Sequence, residues 1–321
     1  MLQVSIEVNG ITIPLSGVFD LAVDEFTGRQ SGVKQFISCH REYGWSRVEN
    51  LEPEQPRWPL EFGSATHLFL QEHKRGVPMA EALKLAEARL VRDFKPAMFQ
   101  EELEEREQYK ELLRNLVPAY MAYWSDDIDV PIGNEIKGRV EVGEGTGVYI
   151  VFQVDQIVSA HGQFWIKDYK TMSKNDDRGF QPYEIDIQPT AYVYAVSKMM
   201  YGWKPHSAKP RIAGTIIDGL IKTKVPQFRR ETFLRTDDDL AEFEREWVEV
   251  CREIAMRHAR VQAGEPWKLV FYRNTQHCFK WGRACDFFQL CTKDSPMMRM
   301  AYKHRVADYM DDPTLLEAPR A

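Results

Sequence analysis

The chain has 321 residues, 44% of them hydrophobic and 28% charged, and a formal net charge of −6. That is enough for a sizeable core in one large domain or two small ones. The charge argues against a broadly basic surface but not against a local basic groove. The start of the chain lacks the basic, apolar pattern of a secretion signal, and no apolar run reaches the roughly 18–20 residues that span a bilayer. The expectation is a cytoplasmic protein without a membrane partner.

"VSIEVNGITIPL" alternates around Asn9-Gly10 and predicts a hairpin, placed in an N-terminal extension over 1–30. Residues 30–47 read as helix with Cys39 inside, followed by a Pro-rich loop. "SATHLFLQEHKRG" predicts a helix capped by Ser64, with His67 in its first turn. Residues 79–124 carry charge-rich helical periodicity and predict two helices, part of a helical insertion over 79–130. From about 134 the texture turns β-branched and aromatic with interspersed Gly, which predicts three or four strands. A helix follows in "QPTAYVYAVSKMMYGW", with Pro189 in its first turn. "RIAGTIIDGLIKTKVPQFRRETFL" predicts two more strands, and "TDDDLAEFEREWVEVCREIAMRHARVQAG" a long helix with acids in its first turn and Cys251 packed inside. The order of elements is that of an α/β protein, one domain over 31–300, with a cysteine-bearing region at 264–300 and a tail at 301–321.

Two strands, "VYIVFQVDQIV" and "QFWIKDYKT", flank His161-Gly162, a two-residue hairpin turn. That turn pairs Ala160 with Gln163 and, by the same register, sets Asp155 opposite Asp168. Like charges so placed repel unless a cation lies between them. Hard carboxylate oxygens suit Mg²⁺ or Mn²⁺. Lys170 shares the face of Asp168 and is placed to hold a water or offset phosphate charge. The alternative is a strand end running into solvent. Gln188 and Tyr192 stand at i and i+4 on the following helix.

Of the cysteines, Cys278, Cys285 and Cys291 cluster near the C-terminus. In a reducing compartment that clustering suggests a metal or cluster site, with Cys39 available as a fourth ligand. Four thiolates suit either a [4Fe–4S] cluster or Zn²⁺.

Taken in order, Gly63-x-x-x-His67, "VDQI", "IKDYKT" and "QPTAY" resemble the motifs of the PD-(D/E)XK nuclease superfamily, specifically its RecB-like branch. That branch includes the iron–sulfur nucleases of CRISPR adaptation and AddAB-type nuclease domains. The resemblance spans roughly 36–292. It implies a restriction-endonuclease-like core, a mixed central sheet flanked by helices, with a helical insertion and a Cys-rich C-terminal staple. It implies a metal-dependent deoxyribonuclease, exonuclease more than endonuclease, acting in recombination, repair or phage DNA processing. His67, Asp155, Asp168 and the backbone carbonyl of Tyr169 would hold Mg²⁺ or Mn²⁺. Lys170 would activate or orient the attacking water, and Gln188 and Tyr192 would position DNA or support the site, with Glu135 a weaker neighbour. Cys39, Cys278, Cys285 and Cys291 would hold a [4Fe–4S] cluster.

The implied substrate is DNA, single-stranded or with a free end. The implied setting is a bacterial or phage-infected cytoplasm, with a recombination or helicase partner. Lys222, Lys224, Arg229 and Arg230 are candidate DNA contacts, with Tyr194, Tyr201 or Trp203 as stacking surfaces. Two departures from the pattern are Asp168 in place of the commoner Glu, and Phe152 where many relatives carry Gly. The rival reading is a nuclease-like but inactive DNA-binding subunit of a recombination or CRISPR-related complex.

Overall fold

In a computed structural model, residues 5–8, 11–14, 30–95, 99–280 and 283–305 are described. Strands β1 (Ser5–Val8) and β2 (Ile11–Pro14) form the antiparallel hairpin expected around Asn9-Gly10. The center of the fold is a five-stranded mixed sheet. In spatial order it contains β4 (Val130–Glu141), β5 (Tyr149–Ala160), β6 (Gln163–Met172), β7 (Gly214–Ile221) and β8 (Gln227–Leu234). Only β6 and β7 run parallel; the other neighbours are antiparallel. The crossover from β6 to β7 carries α6 (Asp177–Phe180) and α7 (Ile187–Tyr201). This is the restriction-endonuclease-like core expected from sequence.

Helices cover both faces. On one side lie α3 (Trp58–Lys74), α4 (Met79–Val91) and α5 (Gln100–Tyr123), whose Phe62, Phe69, Leu90, Leu113 and Tyr120 bury against Tyr169 and Leu220 of the sheet. On the other side α7 and α8 (Asp237–Gln262) enclose the main core with Ile150, Phe152 and Ile166. Helix α1 (Gln30–Ser38) joins this second layer. Helix α7 is buried nearly all round, with Tyr194 in it and Trp203 just past its end both fully buried. Helix α8 starts on Thr236, whose hydroxyl accepts from Asp239 N–H at 3.1 Å, with three acids in the first turn. Cys251 is buried within it, as expected.

The unusual Phe152 has a complementary partner. Its Cα partner across the ladder is Gly138, where an added Cβ would lie 2.8 Å from the Phe152 ring. The ring packs over Gly138, where no side chain stands in its way.

Three expectations are corrected. Helix α3 begins at Trp58 with Pro59 in its first turn, so Ser64 is interior and His67 lies midway along. Cys39 does not sit inside a helix. It is the extended break, φ −160°, between α1 and α2 (His40–Tyr43). The chain past 300 is not wholly a tail, because the strand Tyr302–His304 pairs with β3 (Leu51–Pro53).

Candidate metal centre

The β5–β6 hairpin closes on His161 and Gly162 at φ 52° and 74°, the left-handed pair that a type I′ turn requires. Pairing runs from Ala160↔Gln163 to Gln156↔Lys167. One further step sets Asp155 beside Asp168, but the backbone ladder stops there. The reason is chemical: the Asp155 carboxylate takes the place of a ladder carbonyl, its Oδ2 accepting from Tyr169 N–H at 2.9 Å. On the other side, Asn134↔Gln156 and Ile136↔Val154 bracket Glu135 against Asp155. Glu135 has φ 51° and accepts from Gln153 Nε2 at 2.6 Å. By register, therefore, three acids lie in a row across β4, β5 and β6.

His67 reaches this row from α3. Its Nδ1 lies 3.1 Å from Asp155 Oδ1, and its Nε2 lies 2.8 Å from the Tyr169 carbonyl oxygen. Both ring nitrogens face acceptors, so both donate only when the ring is protonated. On the α7 side, Lys170 Nζ sits 2.6 Å from Asp168 Oδ2 and donates to Gln188 Oε1 at 3.2 Å. Gln188 Nε2 donates to Tyr192 OH at 3.0 Å. Asp186 caps α7 by accepting from Gln188 N–H at 2.9 Å, which fixes the start of the helix that aims Gln188. The residues singled out in sequence as His67, Asp155, Asp168, Tyr169, Lys170, Gln188 and Tyr192 are thus joined in one contact chain.

Sequence reasoning missed Gln30, which donates to Tyr192 OH at 2.7 Å from 162 residues away. It also missed Lys74, which donates to Tyr169 OH at 2.6 Å. Both contacts are tertiary, and no local spacing signals them.

The electrostatics are those of crowded, buried acids. Burial raises the Asp168 carboxyl to about 6; Lys170 opposes the shift and Asp155 adds to it. Burial also acts to raise Asp155, but His67 and the Tyr169 N–H hold it below the usual range. For His67, burial acts to lower the value, and Asp155 with Asp168 raises it to about 8. Burial would lower Lys170, yet Asp168 raises it well above an ordinary lysine, so it stays charged.

Among the described residues, no group of three or more His, Cys, Asp and Glu is drawn together as a ready-made metal cage. His67 is turned to Asp155 and to the Tyr169 carbonyl, one ring nitrogen on each. The donor set nevertheless fits a hard divalent ion. Asp168 is buried, and its Oδ2 lies 2.6 Å from the Lys170 ammonium, one cation among several acids. Carboxylates crowded in this way suit a hard divalent ion.

The four cysteines also converge. Cys39, Cys278, Cys285 and Cys291 line one small cavity together with Glu42, His277 and Phe288. Trp45 Nε1 donates to Cys291 Sγ at 3.2 Å, and Asn274 N–H donates to Cys39 Sγ at 3.4 Å. Burial pushes the Cys285 thiol up to about 12 and raises Cys291. With values raised in this way the sulfurs are thiols, and they would have to lose protons to hold a metal.

The predicted DNA contacts fare differently. Arg230 is largely buried between Asp127, Asp129 and Asp218, with its guanidinium 3.5 Å over Trp124. Arg229 pairs with Asp177 and Glu231. Lys222 lies 4.9 Å over the Phe62 ring, and Lys224 is exposed. Tyr194 and Trp203 are fully buried core residues, so neither is a stacking surface; Tyr201 is partly buried.

A family model described as the PD-(D/E)XK nuclease superfamily matches residues 30–292. No curated protein matches. Among solved structures, a "Putative exonuclease" from Eubacterium rectale is similar with 16% identity and a TM-score of 0.47, covering 75% of this chain and 83% of that one. The crystal structure of SSO0001 is similar with 11% identity and a TM-score of 0.31, covering 73% and 78%. At these scores neither likeness bears on what the chain does.

Proposed function

Because the chain belongs to the PD-(D/E)XK nuclease superfamily, we propose that it is a metal-dependent deoxyribonuclease of the RecB-like branch, cutting DNA from a free end. The observation that carries this reading is the convergence of Asp155, Asp168 and Lys170, with Lys170 Nζ 2.6 Å from Asp168 Oδ2 at a row of acids. His67, Asp155, Asp168 and the Tyr169 carbonyl would hold Mg²⁺ or Mn²⁺. Bound there, the ion would polarise the phosphate and stabilise the leaving oxygen.

The remaining chemistry falls to the chain itself. Lys170 keeps its proton beside Asp168 and so acts as a fixed positive charge, orienting a water and offsetting charge on the phosphate. Its hold on Gln188 ties it to α7, and Tyr192, with its phenol pushed up to about 12 chiefly by burial, stays neutral and accepts from Gln188 and Gln30. The preference for ends rests on the ordered motif likeness to the RecB-like branch. The same likeness supports a [4Fe–4S] cluster at Cys39, Cys278, Cys285 and Cys291, with Zn²⁺ as the alternative. It also supports work in recombination or phage DNA processing in the cytoplasm beside a helicase-type partner.

The test uses protein purified anaerobically, with its visible absorption recorded. Linear and covalently circular DNA, single- and double-stranded, are incubated with Mn²⁺. Degradation of linear DNA alone supports the reading. Cutting of circles makes it an endonuclease. No cleavage by folded, Mn²⁺-binding protein favours an inactive DNA-binding subunit. A colourless zinc protein replaces the iron–sulfur assignment and leaves the nuclease one standing.

A further inference from the structure

On the sheet face away from Lys170, the side chain of Tyr169 is held as firmly as its backbone. Tyr169 is 4% exposed. Its hydroxyl receives a hydrogen bond from Lys74 Nζ at 2.6 Å and donates to Gln156 Oε1 at 2.9 Å. Gln156 is 3% exposed, and its Nε2 donates to Asn134 Oδ1 at 2.8 Å, one residue from the turned Glu135. The Lys74 ammonium also lies 4.2 Å over the Tyr169 ring, and Tyr120 meets that ring edge-on at 6.1 Å.

A buried phenol hydroxyl must find a hydrogen-bond partner, and one would satisfy it. Hydrogen bonds on both sides of the oxygen also fix its direction, and a fully satisfied buried network specifies one arrangement. The main chain of the same residue makes the two contacts that shape the site, N–H to Asp155 and C=O to His67. Lys74 lies seven residues beyond His67 on α3, two turns on and on the same helix face. One rigid helix therefore grasps Tyr169 at both ends.

We propose that Lys74 and Gln156 are positioning residues for the metal centre: by gripping the Tyr169 phenol they aim its N–H and C=O. The inference rests on the metal-dependent reading above. Residues that orient metal ligands typically change affinity by about tenfold or more when lost. A residue that merely pinned α3 to the sheet would alter stability and leave affinity alone.

The experiment is Mn²⁺ binding to the full chain by calorimetry, without DNA and well below the melting temperature, for the parent, Lys74→Met, Tyr169→Phe and Lys74→Arg. Methionine keeps the stem of Lys74, and phenylalanine keeps the ring of Tyr169, so at least one variant is expected to fold. The expected result is affinity at least about fivefold weaker in Lys74→Met and Tyr169→Phe, recovered in part by Lys74→Arg. Affinity within twofold of the parent in both, with only melting temperatures changed, overturns the grip. A parent that binds no Mn²⁺ overturns the metal-dependent reading along with it.

Discussion

Loading the candidate centre with Mn²⁺ is expected to expel about one proton at pH 7. His67, raised to about 8, is roughly nine-tenths protonated at that pH, and Asp168, at about 6, is roughly one-tenth protonated. A metal takes neutral imidazole and ionised carboxylate, so both fractions must leave. Release should therefore be about one proton at pH 7, about half a proton at pH 8 and near zero by pH 9. Over the same range the apparent affinity should rise up to about tenfold per pH unit near pH 7 and level off above pH 8. Calorimetry in buffers of different ionisation enthalpy measures the release directly. Binding that shows no buffer dependence at pH 7 would refute the view that His67 gives up its proton to the metal. The metal-free protein gives the matching sign. A raised His67 stabilises the fold below about pH 6.5, and that contribution is lost as pH rises through about 8. About a third of the side chain is exposed, so solvent screening reduces the loss to about 1 kcal/mol.

Lys167→Met removes the ammonium that lies 2.7 Å from Asp129 and 3.1 Å from Asp127, at a side chain 1% exposed. Breaking a buried pair costs about 3–5 kcal/mol, but Arg230 still faces both acids, so urea unfolding should report a loss of about 2–3 kcal/mol. Trp203→Ala empties a fully buried site against Tyr194 and should cost about 3–5 kcal/mol in the same assay. On the proposed iron–sulfur assignment, Cys39→Ser should weaken visible absorption and lower the melting temperature, because Cys39 lines one cavity with Cys278, Cys285 and Cys291.

The local parts of this protein were legible because local rules govern them. His161-Gly162 sets the hairpin register, which the ladder follows from Ala160↔Gln163 as far as Gln156↔Lys167, one step short of Asp155 and Asp168. The alternation of "WIKDYKT" separated Asp168 and Lys170 from Tyr169, and the structure puts them on opposite faces, with Tyr169 among the α3–α5 side chains. Where the reading went wrong, tertiary contact overrode local preference. Ser64 had the chemistry of a cap, but Pro59 allowed the helix to start earlier. Arg230 stood in a basic strand, but three acids from other segments enclose it. Trp203 and Tyr194 looked available for stacking, but α7 is packed on every side. Gln30 and Lys74 carried no signal at all, because their partners lie 162 and 95 residues away.

The central claim is that Asp155, Asp168 and Lys170 form a hydrolytic centre for DNA. The most direct measurement is the rate of release of labelled nucleotides from linear DNA with Mn²⁺, for the parent beside Asp168→Asn and Lys170→Met. Cleavage by the parent that falls by about a hundredfold or more in each variant is the expected result. Cleavage that survives both substitutions would contradict it.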